Sequence, residues 1–159
     1  MAARVLVAGV GNLFLGDDGF GPEVVRHLAG TALPPGVRAV DYGIRGVHLA
    51  YDVLDGYDAL ILVDALPAAQ ESPGTVTVLE VSAGTVTLPG SGEFDPHGMN
   101  PVAVLSTVRR LGGTLPPTYV VGCAAASVDE GIGLSERVGA AVPVAVESIQ
   151  ALLAHLQEA

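Results

Sequence analysis

A chain of 159 residues, half of them hydrophobic, fits one domain that buries roughly two-thirds of its unfolded surface in a single core. Seventeen acidic residues outnumber seven basic ones, all Arg, for a net charge of −10. That balance argues against nucleic acid, which needs a basic stripe, and against an anionic membrane surface; a metal cation or a basic peptide suits it better. Aromatic residues are few and Trp is absent, so the core must be Val, Leu, Ile and Ala. The 21 Gly and 11 Pro fall between apolar runs and mark tight turns rather than disorder. A single cysteine, Cys123, rules out an intrachain disulfide and fits the reducing cytoplasm, the expected location. The N-terminus runs straight into an apolar strand without a signal peptide's long apolar region, and no run of sequence reads as a membrane span.

Residues 4–10 form a short, β-branched apolar run that predicts a buried first strand, broken by Gly11-Asn12. Residues 20–29 predict a helix with Val24, Val25 and Leu28 on one face, ended by Pro34-Pro35. A second strand follows at 37–42 and a short helix at 46–54. Residues 59–63, Ala-Leu-Ile-Leu-Val, are the clearest buried strand. Residues 65–74 read as a loop. The alternation of 75–80, Thr-Val-Thr-Val-Leu-Glu, predicts a half-exposed antiparallel strand near an edge. Residues 82–96 read as a long loop with a strand fragment at 85–88, followed by a helix at 101–111, a last central strand at 119–122 and a closing helix at 134–156, bent or split by Pro143. The pattern predicts one three-layer α/β domain over residues 1–159. Its core is a twisted, mostly parallel five-stranded sheet with one antiparallel edge strand and helices on both faces.

Sites in such folds form at the carboxyl ends of the strands, which directs attention just beyond residues 10, 42, 63 and 122. Acids recur there. Gly9-Val-Gly-Asn-Leu-Phe-Leu-Gly-Asp-Asp-Gly19 follows the first strand, Asp41 closes the second, Asp64 closes the third, and Asp95-Pro-His97 lies in the long loop. Asp18, Asp64 and His97 brought to one sheet edge would suit a divalent ion such as Zn²⁺ or Ni²⁺, or would share a proton and activate water. Plainer roles compete: Asp17 and Asp18 also suit a turn or a helix N-cap, Asp64 a backbone cap, and His97, between Pro and Gly, a surface turn. His27, His48 and His155 sit in helical segments and read as structural. Cys123 has three alanines behind it and no base nearby in sequence, so it reads as a buried thiol. No Gly-x-Ser-x-Gly context supports a serine hydrolase. Gly9-x-Gly11 lacks the third glycine of a dinucleotide loop, since Phe14 stands there, and the acids around it would repel a pyrophosphate.

The run Gly9-Val-Gly-Asn-Leu-Phe-Leu-Gly-Asp-Asp-Gly-Phe-Gly21 resembles the N-terminal signature of the hydrogenase maturation proteases. Leu-Val-Asp64-Ala, Asp95-Pro-His97-Gly, and Val121-Gly-Cys123 followed by Glu130-Gly-Ile-Gly-Leu-Ser135 are similar too, in the family's order and over nearly the whole chain. The resemblance implies an endopeptidase, aspartic-type or metal-assisted, that cuts a C-terminal extension from the large subunit of a nickel–iron hydrogenase once nickel is in place. It maps the family's metal-binding and catalytic positions onto Asp18, Asp64 and His97, with Asp18 standing where the family often has Glu. It also implies that the Gly-rich segment Asp41-Tyr-Gly-Ile-Arg-Gly46 contacts the substrate through Asp41, Gly43, Arg45 and Gly46, with Ile44 where a small polar residue is usual. Ala124-Ala125 replace the family's common Glu-Pro. No tightly bound cofactor is expected, only transient nickel supplied by the substrate; the partner is the large-subunit precursor, and the chain itself is expected to be a monomer. Two other classes fit the same acids: a hydrolase holding its own ion for a small substrate, and a non-enzymatic metal-sensing or chaperone module.

Overall fold

The computed structural model describes residues 3–66, 72–81 and 108–158. The expected strand fragment at 85–88, the long loop that holds His97 and most of the helix at 101–111 lie outside them; residues 108–110 are helical. The elements run β1 (Val5–Val10), α1 (Phe20–Ala29), β2 (Val37–Gly43), α2 (Gly46–Val53), β3 (Ala59–Leu66), β4 (Val76–Val81), β5 (Thr118–Ala124) and α3 (Glu136–Glu158). A short 3-10 turn, Gly16–Gly19, precedes α1.

The five strands form one sheet in the order β2-β1-β3-β5-β4. β1 pairs in parallel with β2 and β3, and β3 with β5; β4 runs antiparallel to β5 at the edge. Each central strand is apolar on both sides because both faces are covered. One face carries Val5, Val7, Ile61, Val63, Val121 and Cys123, packed under Val24, Val25 and Leu28 of α1 and Val138, Val142, Ile149 and Leu153 of α3. The other carries Leu6, Ala8, Val10, Leu60, Leu62 and Val120, covered by Leu49, Ala50 and Val53 of α2 and by Val108. The side chains alternate between these cores as the pleat requires.

Three sequence expectations are corrected. β3 does not end at Val63 but continues through Leu66, because β5 goes on pairing with it at Asp64↔Gly122, Ala65↔Cys123 and Leu66↔Ala124. α3 is one continuous helix that holds Pro143 within it, so of the two expected effects of Pro143 the split does not occur. Pro143 is exposed, so water can reach the turn where it withholds a backbone donor. α3 is also long and apolar enough, by length and composition, to cross a bilayer. Its buried residues Val138, Ala141, Val142, Ala145, Ile149 and Leu153 follow helical spacing and face α1 and β5, so this apolarity serves the core.

Candidate functional site

The chain leaves β1 toward β2 on one side and returns to β3 on the other. The carboxyl ends of β1 and β3 therefore open a crevice at the point where strand order reverses. Two glycines let the backbone close on this crevice. A Cβ at Gly21, in the first turn of α1, would stand 2.2 Å from the Val63 carbonyl oxygen and 2.4 Å from that of Val10. Gly11 has φ +141°, and a Cβ there would fall 1.9 Å from the Asp18 carbonyl oxygen. Glycine at both positions thus seats the 3-10 turn and the start of α1 directly over the ends of β1 and β3.

Asp64 lies one residue past the last β1 partner of β3, Gly9↔Val63, where the sheet loses β1 but keeps β5. It is only 4% exposed. Asp18, half-buried, belongs to the 3-10 turn that packs against β3. Its Oδ2 accepts the Asn12 N–H at 2.8 Å, while Asn12 Oδ1 accepts the Phe14 N–H at 2.9 Å, so the loop after β1 closes upon itself. The structure thus places Asp18 and Asp64 at the same end of the sheet, as the sequence predicts. His97 lies outside the described residues, and among those residues no three His, Cys, Asp or Glu side chains form a metal-sized cluster.

The end of β2 supplies a second wall. Between Gly9↔Asp41 and Val10↔Gly43 the register slips by one residue, so Tyr42 is extra on β2. Its buried ring points into the core, and its hydroxyl donates to Asp52 Oδ2 of α2 at 2.6 Å. Burial, and then Asp52, hold that phenol well above its ordinary pKa. Asp41 Oδ1 accepts the Gly43 N–H at 2.9 Å, and the Gly43 carbonyl accepts the Gly11 N–H at 2.9 Å, which ties this turn to the loop after β1. An open groove of about 340 Å³ lies between them, lined by Asn12, Leu13, Phe14, Asp41, Ile44 and Arg45 among others. Arg45 spends two donors on its own turn: Nη2 reaches the Asp41 carbonyl at 2.6 Å and Nε the Tyr42 carbonyl at 3.0 Å. Of the four residues expected to contact substrate, Asp41, Gly43 and Arg45 line the groove, whereas Gly46 starts α2 and is not among its lining residues.

Neither aspartate of the pair caps α1, whose N-cap is Gly19 with no side-chain bond. Asp17 is 1% exposed and reaches across to residues 126–135. Its carboxylate accepts from the backbone N–H of Ala126 at 2.8 Å, Ser127 at 3.0 Å and Ser135 at 2.7 Å, and from Ser135 Oγ at 2.9 Å. Burial alone raises its pKa, but the bonds from Ser135, Ser127 and Ala126 outweigh that, so the carboxyl lies below its ordinary value and is ionised at neutral pH. Cys123 is fully buried in β5. Burial, then the Asp17 charge, push its thiol up to about 11, which suits a structural residue and not a nucleophile.

Comparison with known proteins converges on one group. The family model for hydrogenase maturation protease matches residues 22–152. The hydrogenase 2 maturation protease of Escherichia coli K12 is 32% identical over 151 residues, covering 94% of this chain and 90% of its own length. A putative hydrogenase maturation protease of Methanocaldococcus jannaschii is 34% identical over 151 residues, covering 91% of this chain and 93% of its own. Among solved structures, the hydrogenase maturating endopeptidase HybD from E. coli has a TM-score of 0.81 at 32% identity, over 96% of this chain and 93% of that one. The hydrogenase 2 maturation peptidase from a Thaumarchaeota archaeon has a TM-score of 0.72 at 34% identity, over 95% and 98%. The fold and these similarities agree: the chain belongs to the hydrogenase maturation protease family.

Proposed function

We propose that this chain is an endopeptidase that removes the C-terminal extension of a nickel-loaded nickel–iron hydrogenase large-subunit precursor, reading the substrate's own nickel as its recognition element. The observation that carries this reading is the placement of Asp18 and Asp64 at the β1/β3 crevice of a maturation-protease fold. Two carboxylates, with His97 as the third ligand that the family resemblance implies, would offer a divalent ion a few hard or borderline ligands and leave coordination positions open. That is what recognition of a metal still held by another protein requires, since full chelation would strip it away. The low exposure of Asp64 strengthens its attraction for a cation by reducing solvent screening. A scissile peptide docked there lies within reach of water that a carboxylate can deprotonate.

The test is cleavage of a nickel-loaded cognate precursor, read as mass lost from its C-terminus. Asp18→Asn, Asp64→Asn and His97→Ala are each expected to lower kcat/KM by about 10² to 10⁴, the scale of a lost general acid–base or ligand contact. Nickel-free precursor should stay uncut. Cutting that ignores nickel would remove the recognition mechanism and keep the peptidase. No cutting of a verified nickel-loaded cognate precursor would leave a metal-sensing module as the better reading.

A further inference from the structure

Asp17 and Asp18 are neighbours in a turn with three residues per repeat, so their side chains diverge by about 120°. Asp18 accepts a bond from within its own loop, from Asn12. Asp17 points the other way, into residues 126–135, and takes four hydrogen bonds from partners 109 to 118 positions away in sequence. The backbone reinforces the same seam. The Asp17 N–H donates to the Ser127 carbonyl at 2.9 Å, the Gly16 N–H to the Gly131 carbonyl at 2.9 Å, and the Gly131 N–H to the Phe14 carbonyl at 2.8 Å. A carboxylate at 1% exposure, surrounded by three amides and a hydroxyl, is a rigid charge-assisted junction rather than a solvated turn residue. Without it the seam between the 3-10 turn and residues 126–135 would rest on the backbone hydrogen bonds of Gly16, Asp17 and Gly131 alone.

We infer that Asp17 is a positioning residue: by clasping residues 126–135 it fixes the turn that presents Asp18 to the crevice at the end of β3. The inference rests on the peptidase reading for its catalytic consequence and on geometry alone for the clasp. Asp17 touches no reacting atom. Its work is to hold Asp18 within the few tenths of an ångström that a ligand or general base tolerates, since a displacement near 1 Å costs about a hundredfold in rate.

Asp17→Asn and Ser135→Ala, in the full chain, separate this role from simple stability. Amide hydrogen exchange is read first and needs no substrate. Asp17→Asn should speed exchange at Ala126, Ser127 and Ser135 at least tenfold while β1 and β3 stay protected. Single-turnover cleavage of the nickel-loaded precursor, well below the melting temperature, should then show kcat down about a hundredfold with KM within threefold. Ser135→Ala removes one of four bonds and keeps the charge, so it should fall between, about fivefold down in kcat; if Asp17→Asn does not fold, this variant carries the test. Unchanged exchange at the three amides would overturn the clasp. Faster exchange with kcat unchanged in the folded variant would overturn positioning and leave the peptidase reading intact. Failure of the unsubstituted chain to cut would overturn the peptidase reading and the catalytic half of this inference, while the exchange result would still decide the clasp.

Discussion

Two side chains at the carboxyl end of the sheet, Cys123 and Asp17, show how environment, not residue type, assigns chemistry. Cys123 and Asp17 lie close enough for the carboxylate charge to raise the thiol, yet one is apolar-packed and protonated and the other ionised by its donors. A thiol near 11 is about one part in a thousand thiolate at pH 8, and the fully buried sulfur is also closed to reagents. Iodoacetamide at pH 8 should therefore leave the native chain unmodified over hours and label it once in strong denaturant; rapid native labelling would mean that β5 opens far more readily than its packing implies. The sign for stability follows from the same shift. A thiol whose pKa is raised on folding contributes fully below its unfolded value near 9, and the contribution is lost as pH climbs toward 11. The sequence singled out Asp18 for the site, but the role of its neighbour Asp17, read there as a turn or cap residue, was not legible, because it lies in bonds to residues more than a hundred positions away. Nor was Arg45's commitment to the carbonyls of its own turn, which depends on the extra residue in β2.

At the level of elements, the close seating of α1 on the sheet is what sets the mouth of the site. Gly21→Ala would drive a methyl into the carbonyls of Val63 and Val10, backbone atoms that cannot swing aside. The expected cost is about 3 kcal/mol, or roughly 10 °C in melting temperature, with cleavage activity falling because α1 and the turn lift together. Gly139→Ala in α3 is the matched control: a Cβ there meets nothing within 4 Å, so the helix should gain about 0.5 to 1 kcal/mol. Equal melting temperatures for the two variants would show that the contact does not govern α1. Most of the element order was readable because β1 and the first five residues of β3 are continuous apolar runs and α1 has its own apolar stripe; the predicted helix at 20–29 coincides with α1. The extension of β3 to Leu66 was hidden, since only pairing with β5 reveals it. In α3 the seam of buried residues on either side of Pro143 keeps a helix whole that local rules would split.

Across the whole molecule, the loops at the carboxyl end of the sheet come from three distant parts of the chain and leave apolar side chains in water around the crevice. Leu13 is 46% exposed and Phe14 66% in the loop after β1, Ile44 62% after β2, and Ile132 80% in the segment after β5. The hydrogen bond between the backbones of Gly131 and Phe14 brings the first and last of these loops side by side, and Ile44 shares the groove with Phe14. Exposed apolar groups gathered around a polar site favour a protein partner over a small, fully enclosed substrate. On the proposed function, that partner is the folded precursor, gripped by this rim while its tail enters the crevice. Phe14→Ser and Ile132→Ser should then each raise KM for the precursor about tenfold, corresponding to roughly 1.4 kcal/mol of lost contact, with kcat within twofold. The melting temperature should hold or rise slightly, because neither side chain is part of either core. A short peptide spanning only the cleavage point should be cut no worse by the variants than by the unsubstituted chain, since it does not reach the rim. An unchanged KM for the full precursor in both variants would mean that the precursor docks elsewhere; an equal loss on the short peptide would mean that these residues line the crevice itself.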